Sequence, residues 1–258
     1  MLRQNFRHVC VSALGLMSLM SLPSHAQLSD YERSKPSEVW TPVPPEVATP
    51  DNKAPSDAII LFDGSNLDAW KSNSDGPAPW KIVKGKMVIA PGTGDLHTKA
   101  SFCDVQLHIE WKTLAKITDE KGHQLDGQDR SNSGIYFQER YELQVLDSYH
   151  NPTYVNGQAG SIYKEASPLV NASRGPGQWQ SYDVIYSAPK FDASGKLIKS
   201  GRITVLQNGV LVQNNTEITG PTSWIGHPPY VAHGCAPLEL QDHGHAVEFK
   251  NIWIRNLE

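Results

Sequence analysis

Between residues 59 and 255 the apolar side chains come in short runs that alternate with polar ones, and no stretch repeats them every third or fourth residue over a helical length. A period of two sends successive side chains to opposite faces of a strand, so this pattern can cover a sheet but cannot build the continuous stripe of an amphipathic helix. The runs fall at 59–62, 80–83, 86–90, 105–111, 134–138, 141–146, 182–186, 202–206, 210–212, 238–241 and 246–255. They predict an all-β fold. Lys84-Gly85 and Asn208-Gly209 sit between such runs, where a glycine tolerant of positive φ suits a tight hairpin. Two polar stretches without periodicity, 118–131 and 189–201, read as surface loops. No repeat at fixed spacing is present, which argues against a propeller or solenoid.

The chain of 258 residues suffices for one sizeable core. Its beginning reads as an export signal over 1–26: Arg3 and Arg7 precede an apolar run at 9–22, and Ser24-His25-Ala26 offers a small-residue cleavage site. That run is too short and too interrupted by serine for a bilayer span, and no later segment is apolar enough to make one. Residues 27–56 carry many prolines and little periodicity, as an extended segment does. The folded domain is expected at 57–258. Export implies a periplasmic or extracellular location. An oxidising compartment there permits a disulfide between Cys103 and Cys235, although two buried thiols fit the sequence equally well. The formal net charge is −4, and loss of Arg3 and Arg7 makes it more negative, which excludes a nucleic-acid partner.

The chemistry concentrates in three runs. Along 131–138, Ser133, Ile135 and Phe137 share one face while Asn132, Gly134, Tyr136 and Gln138 share the other. Along 141–147, Leu143 and Val145 oppose Glu142 and Gln144, and along 238–241 Glu239 and Gln241 share a face. A row of amides, carboxylates and aromatic rings suits a sugar, whose hydroxyls need donors and acceptors and whose C–H faces pack on rings. The same alternation also describes the solvated face of any antiparallel sheet. Asp242-His243-Gly244-His245 follows, and a divalent metal ion on the two histidines, with Asp242 orienting an imidazole, is a further reading. Neither a GxSxG elbow nor a phosphate-binding glycine loop occurs.

Several ordered motifs resemble those of the 3-keto-disaccharide hydrolase family. They begin with Leu61-Phe62-Asp63-Gly64-Ser65-Asn66-Leu67-Asp68-Ala69-Trp70, then Ser131-Asn132-Ser133-Gly134-Ile135-Tyr136 and Tyr141-Glu142-Leu143-Gln144-Val145-Leu146-Asp147. Gly160-Ser161-Ile162-Tyr163, Gly177-Gln178-Trp179, Leu240-Gln241-Asp242-His243-Gly244 and Phe249-Lys250-Asn251-Ile252-Trp253-Ile254 complete the series. The resemblance implies a concanavalin A-like jelly-roll sandwich of two curved antiparallel sheets and a carbohydrate substrate oxidised at C3. Ser161 and Lys164 depart from the family pattern.

A ketone at C3 acidifies the C2 hydrogen and lets the C1 substituent leave by elimination, after which water adds back. This route needs a base, a donor for the enolate oxygen and an acid for the leaving group. Glu142 is the expected base, with Asp147 or His243 as acid/base partner. Arg140 or a bound cation would steady the enolate, and Asn132, Tyr136, Gln144 and Gln241 would hold hydroxyls. A sugar 3-oxidoreductase would supply the keto group. Two other readings fit the same residues: a non-catalytic lectin-like module, and a conventional glycosidase pairing Glu142 with Glu239. Trp179 and Trp253 read as core residues rather than sugar platforms.

Overall fold

The computed structural model describes residues 28–51 and 53–257. The expected signal segment, 1–26, lies outside them. The chain divides into two units, Met1–Glu46 and Val47–Glu258. Among the described residues of the first, an exposed helix, α1 (Asp30–Ser34), followed by a 3-10 turn at Lys35–Ser37, interrupts the segment expected to be extended. Its start is fixed locally: Glu32 N donates to Ser29 Oγ at 3.2 Å while Ser29 N donates to the Glu32 carboxylate at 3.1 Å, a capping box. No helix among the described residues is long and apolar enough to cross a membrane.

The second unit is built from strands. In chain order they are β1 (Ile59–Phe62), β2 (Trp70–Ser72), β3 (Lys81–Val83), β4 (Lys86–Val88) and β5 (Leu96–Phe102). Then come β6 (Val105–Lys112), β7 (Ser133–Phe137), β8 (Tyr141–Val145), β9 (Trp179–Ser187) and β10 (Lys190–Phe191). The last five are β11 (Leu197–Lys199), β12 (Arg202–Gln207), β13 (Val210–Glu217), β14 (Ala236–Leu240) and β15 (Glu248–Asn256). One sheet runs β13-β12-β9-β6-β15-β4-β3, with β1 also on β15; the other runs β2-β5-β14-β7-β8. The pairings are antiparallel and the two sheets share one apolar core, giving the expected concanavalin-like sandwich.

The expected hairpins form. Lys84 and Gly85 have φ of 51° and 72°, and Asn208 and Gly209 have 53° and 80°, so both central residues of each turn take the left-handed conformation that matches the strand twist. The stretch 189–201, expected to be a loop, contains the small β10–β11 hairpin. Strand β5 escapes the sequence pattern because Lys99, Ala100 and Ser101 are all exposed and break its alternation.

Strand β6 alternates buried and half-buried residues without interruption, as a sheet with one solvated face must. In β8 every residue is buried. The difference arises because other segments cover its outer face and free edge. Gln144 N donates to Ser161 O, Tyr163 N to Glu142 O, and Glu142 N to Thr222 Oγ1 at 3.0 Å. An edge strand is thereby closed on both sides. Two tyrosines of β9 reach through the core to the same hairpin: Tyr182 Oη donates to Gln144 O and Tyr186 Oη to Gln138 Oε1, each at 2.8 Å. Cys103 and Cys235 form a disulfide, with Cα atoms 4.7 Å apart.

Candidate active site

The covered outer face of β7, β8 and β14 holds a cleft of about 350 Å³ lined by Asn132, Tyr136, Glu142, Gln144, Gln241 and His243, with further residues from three loops. Register explains how residues distant in sequence meet. Tyr136 pairs with Glu142 on one side and Glu239 on the other, and Glu239 pairs with His97, so one transverse row crosses four strands.

Glu142 is the central group. Only 4% of it is exposed, and Tyr136 Oη donates to its Oε2 at 2.8 Å. Burial pushes its carboxyl up to about 8; the Tyr136 hydrogen bond opposes that rise and the nearby Glu239 adds to it. Glu239 is itself raised to about 7, by burial first and then by Asp95 and Glu139. Burial likewise raises the Tyr136 phenol, with Glu142 contributing, so Tyr136 stays a neutral donor. Gly134 makes the arrangement fit. A Cβ there would stand 2.6 Å from Glu142 Oε1 and 2.8 Å from the Tyr136 ring, so the strand needs a residue without a side chain.

The amides around Glu142 are oriented rather than free. Gln144 Nε2 donates to Asn132 Oδ1 at 2.7 Å and to two backbone carbonyls, and Asn132 Nδ2 donates to Gln128 Oε1. Gln241 Nε2 donates to Tyr136 Oη at 3.3 Å. The side-chain amide oxygens, Oε1, of Gln144 and Gln241 are buried without a partner. An unpartnered buried acceptor costs about 1–3 kcal/mol, and two of them on one cleft mark where donors from a ligand belong.

Other expected site residues lie elsewhere. Asp147 is buried against Arg130, whose Nε and Nη2 both donate to its Oδ2, while its Oδ1 accepts from Tyr149 N. It fixes the turn after β8 and does not line the cleft. Arg140 is also absent from the lining; its Nη1 donates to Gln138 O within its own hairpin. Gln138 leaves the polar row because Gln138 and Glu139 take φ of 54° and 57°, turning its amide into the core, where it donates to Phe102 O and Gly234 O. Asp242 does not orient His243. Its carboxylate accepts from the backbone N–H groups of Thr93, Gly94 and Gly244. His243 stacks on His245 at 6.0 Å, and His245 Nδ1 accepts from Asn132 N. Burial first, then His243, lowers the pKa of His245. Among the described residues no three His, Cys, Asp or Glu side chains gather as a metal-binding set. Trp253 is buried as expected, whereas Trp179 is half-buried beneath Lys112 and Lys250 on the other sheet.

The loops add residues that strand alternation does not reveal. Tyr154 and Tyr163 line the cleft with their hydroxyls 2.7 Å apart, and Gln128, Thr222, Ser223 and Trp224 complete the wall. Their sequence signal was the motif containing Tyr163; the others lie in polar or irregular stretches.

Comparison with known proteins agrees with this architecture. Residues 57–255 match the family described as the 3-keto-alpha-glucoside-1,2-lyase-like domain. No curated protein matches the chain. The crystal structure of a candidate glycosyl hydrolase from Parabacteroides distasonis ATCC 8503 is 48% identical, covers 86% of this chain and 96% of its own, and superposes with a TM-score of 0.82. A second candidate glycosyl hydrolase from the same organism shares the fold at 23% identity and a TM-score of 0.57, covering 78% of this chain and 94% of its own. These relationships support a carbohydrate-active, hydrolase- or lyase-like function. With the match extending over nearly the whole sandwich, the chain belongs to the 3-keto-alpha-glucoside-1,2-lyase-like domain family.

Proposed function

We propose that the protein cleaves 3-keto-glycosides by elimination across C1 and C2 followed by hydration, with Glu142 as the base. The observation that carries this reading is the buried Glu142 carboxyl, raised to about 8, beside two unpartnered amide oxygens in a cleft. A base matched to a weakly acidic carbon must hold its proton more tightly than an ordinary carboxylate, and burial of Glu142 supplies that.

In this mechanism Glu142 takes the C2 proton and the C–H electron pair forms the enolate of the C3 ketone. Tyr154 and Tyr163 share one hydrogen bond between two hydroxyls, so one O–H proton remains to donate to an oxyanion. Collapse of the enolate restores the ketone, forms the C1–C2 double bond and expels the C1 oxygen substituent, which takes a proton from His243 or from Glu142 itself. Water then adds across the double bond to give the free 3-keto sugar. The side-chain amide oxygens of Gln144 and Gln241 accept from sugar hydroxyls, and Asn132 holds Gln144 in place. A sugar 3-oxidoreductase in the same periplasmic or extracellular compartment would supply the substrate.

The conventional glycosidase reading is less favoured because Glu239 stands two strands from Glu142, with Tyr136 between, and does not line the cleft. The test is incubation of the purified protein with a 3-keto disaccharide and with its unoxidised parent. Release of free sugar from the keto form alone is expected; cleavage of the parent would point to a glycosidase, and cleavage of neither would overturn the enzyme reading.

A further inference from the structure

Trp224 lines the cleft and yet is 75% exposed, and the next residue, Ile225, is as open to solvent. An indole offers a large apolar face, and leaving it in water beside a polar cleft stabilises nothing in the free protein. Its placement is set by hydrogen bonds along the same loop. Thr222 N donates to Arg140 O at 2.8 Å, Thr222 Oγ1 accepts from Glu142 N, and Ser223 Oγ bonds to the backbone of Ile225. The loop that presents the indole is thus tied to the residue that carries the reactive carboxyl.

Resting on the reading of the cleft as a glycoside site, we propose that Trp224 is the specificity platform for the leaving group, and that it selects leaving groups containing a ring with an apolar C–H face. The cleft is graded. Glu142 and Gln144 are buried at its floor, whereas Trp224 stands at its exposed wall. A keto sugar whose C2 hydrogen meets Glu142 and whose hydroxyls meet Gln144 and Gln241 occupies the polar floor. Its C1 substituent, which must depart, then projects toward the exposed indole. A cleft of about 350 Å³ is at the small end for a ligand of drug size, room for a reactive ring with its neighbour held partly outside.

The test compares two substrates sharing one reactive ring: a 3-keto disaccharide and the corresponding methyl 3-keto-glycoside, which has no second ring. Trp224→Ala should raise KM for the disaccharide roughly five- to tenfold with kcat little changed, and leave the methyl glycoside unaffected, in line with the worth of one ring contact. Trp224→Phe should recover most of the loss. Equal loss on both substrates, or loss on neither, would overturn the platform. Binding of the parent disaccharide and of the methyl glycoside to wild type and Trp224→Ala is measured in parallel by calorimetry. If wild type turns over neither keto substrate the reaction reading fails, and the titration still decides the platform: ring-dependent weakening supports it, and no difference overturns it.

Discussion

Tyr136 and Glu142 face one another directly across β7 and β8, and the phenol donates to the carboxylate at 2.8 Å while Gln241 donates to the phenol. The bond favours the ionised carboxylate and so limits how far burial raises it. With Glu142 raised to about 8, the rising limb of the wild-type kcat/KM–pH profile is expected near that value, and replacing Tyr136 with Phe should move it to higher pH. It should also lower activity at neutral pH about tenfold or more, the worth of a hydrogen bond to a charged group. A profile that stays in place would separate the phenol from the base.

Glu142→Gln should reduce turnover by about 10²–10⁴-fold, the usual contribution of a general base. Its stability should change with a definite sign. The folded carboxyl keeps its proton up to about 8, whereas in the unfolded chain it loses it near 4.5, so wild-type stability falls as pH rises between those values. The variant carries no such loss. Thermal melts should coincide below pH 4.5 and diverge above it, with the variant the more stable by about 2–4 kcal/mol at pH 9. Melts that stay parallel across the range would show that the carboxylate is solvated.

Gly134→Ala inserts a methyl group against Glu142 Oε1. The carboxylate or the Tyr136 ring must shift, costing about 1–3 kcal/mol of stability and a larger share of activity. Circular dichroism beside turnover separates the two: a folded, nearly inactive variant is expected, and full activity would show that the carboxylate has room to move.

Asp147→Asn should behave in the opposite way. It breaks a buried ion pair and leaves the Arg130 charge uncompensated, at a cost of about 3–5 kcal/mol. The melting temperature should drop sharply while kcat, measured well below it, stays within a few-fold. Loss of kcat with the melting temperature intact would return Asp147 to the chemistry.

Replacing Cys103 and Cys235 together by Ala removes a cross-link between residues 132 apart. Closing so long a loop in the unfolded chain accounts for on the order of 4–5 kcal/mol. Denaturant melts should lose most of this, and turnover of the folded protein should not change.

The strand runs were readable because burial on one face leaves a period-two imprint, and β6 and β12 carry it cleanly. Asn132, Tyr136, Glu142, Gln144 and Gln241 were readable for the same reason, since they are the polar half of that imprint on adjacent strands. The imprint ends where the chain turns. Gln138 keeps the right sequence parity, but left-handed backbone at 138–139 sends it inward. Asp147 lies past the end of β8 with the parity of Leu143 and Val145, the core-facing half, and its partner is Arg130, a residue no periodicity connects to it. Tyr154, Thr222 and Trp224 reach the cleft through loop closures over long sequence separations, and such closures leave no local pattern.

The two tyrosines of β9 tie the far sheet to the hairpin that carries the proposed base. Each reaches into the core to hold the hairpin that bears Glu142, Tyr182 at the Gln144 backbone carbonyl and Tyr186 at the inward-turned Gln138 amide. The depth at which the carboxylate stands is therefore gauged from behind, by side chains that never approach a ligand. Shortening either by one hydroxyl should release that gauge, so that a change on the layer opposite the cleft reaches the proposed base as a change of position, without altering one residue that lines the cleft.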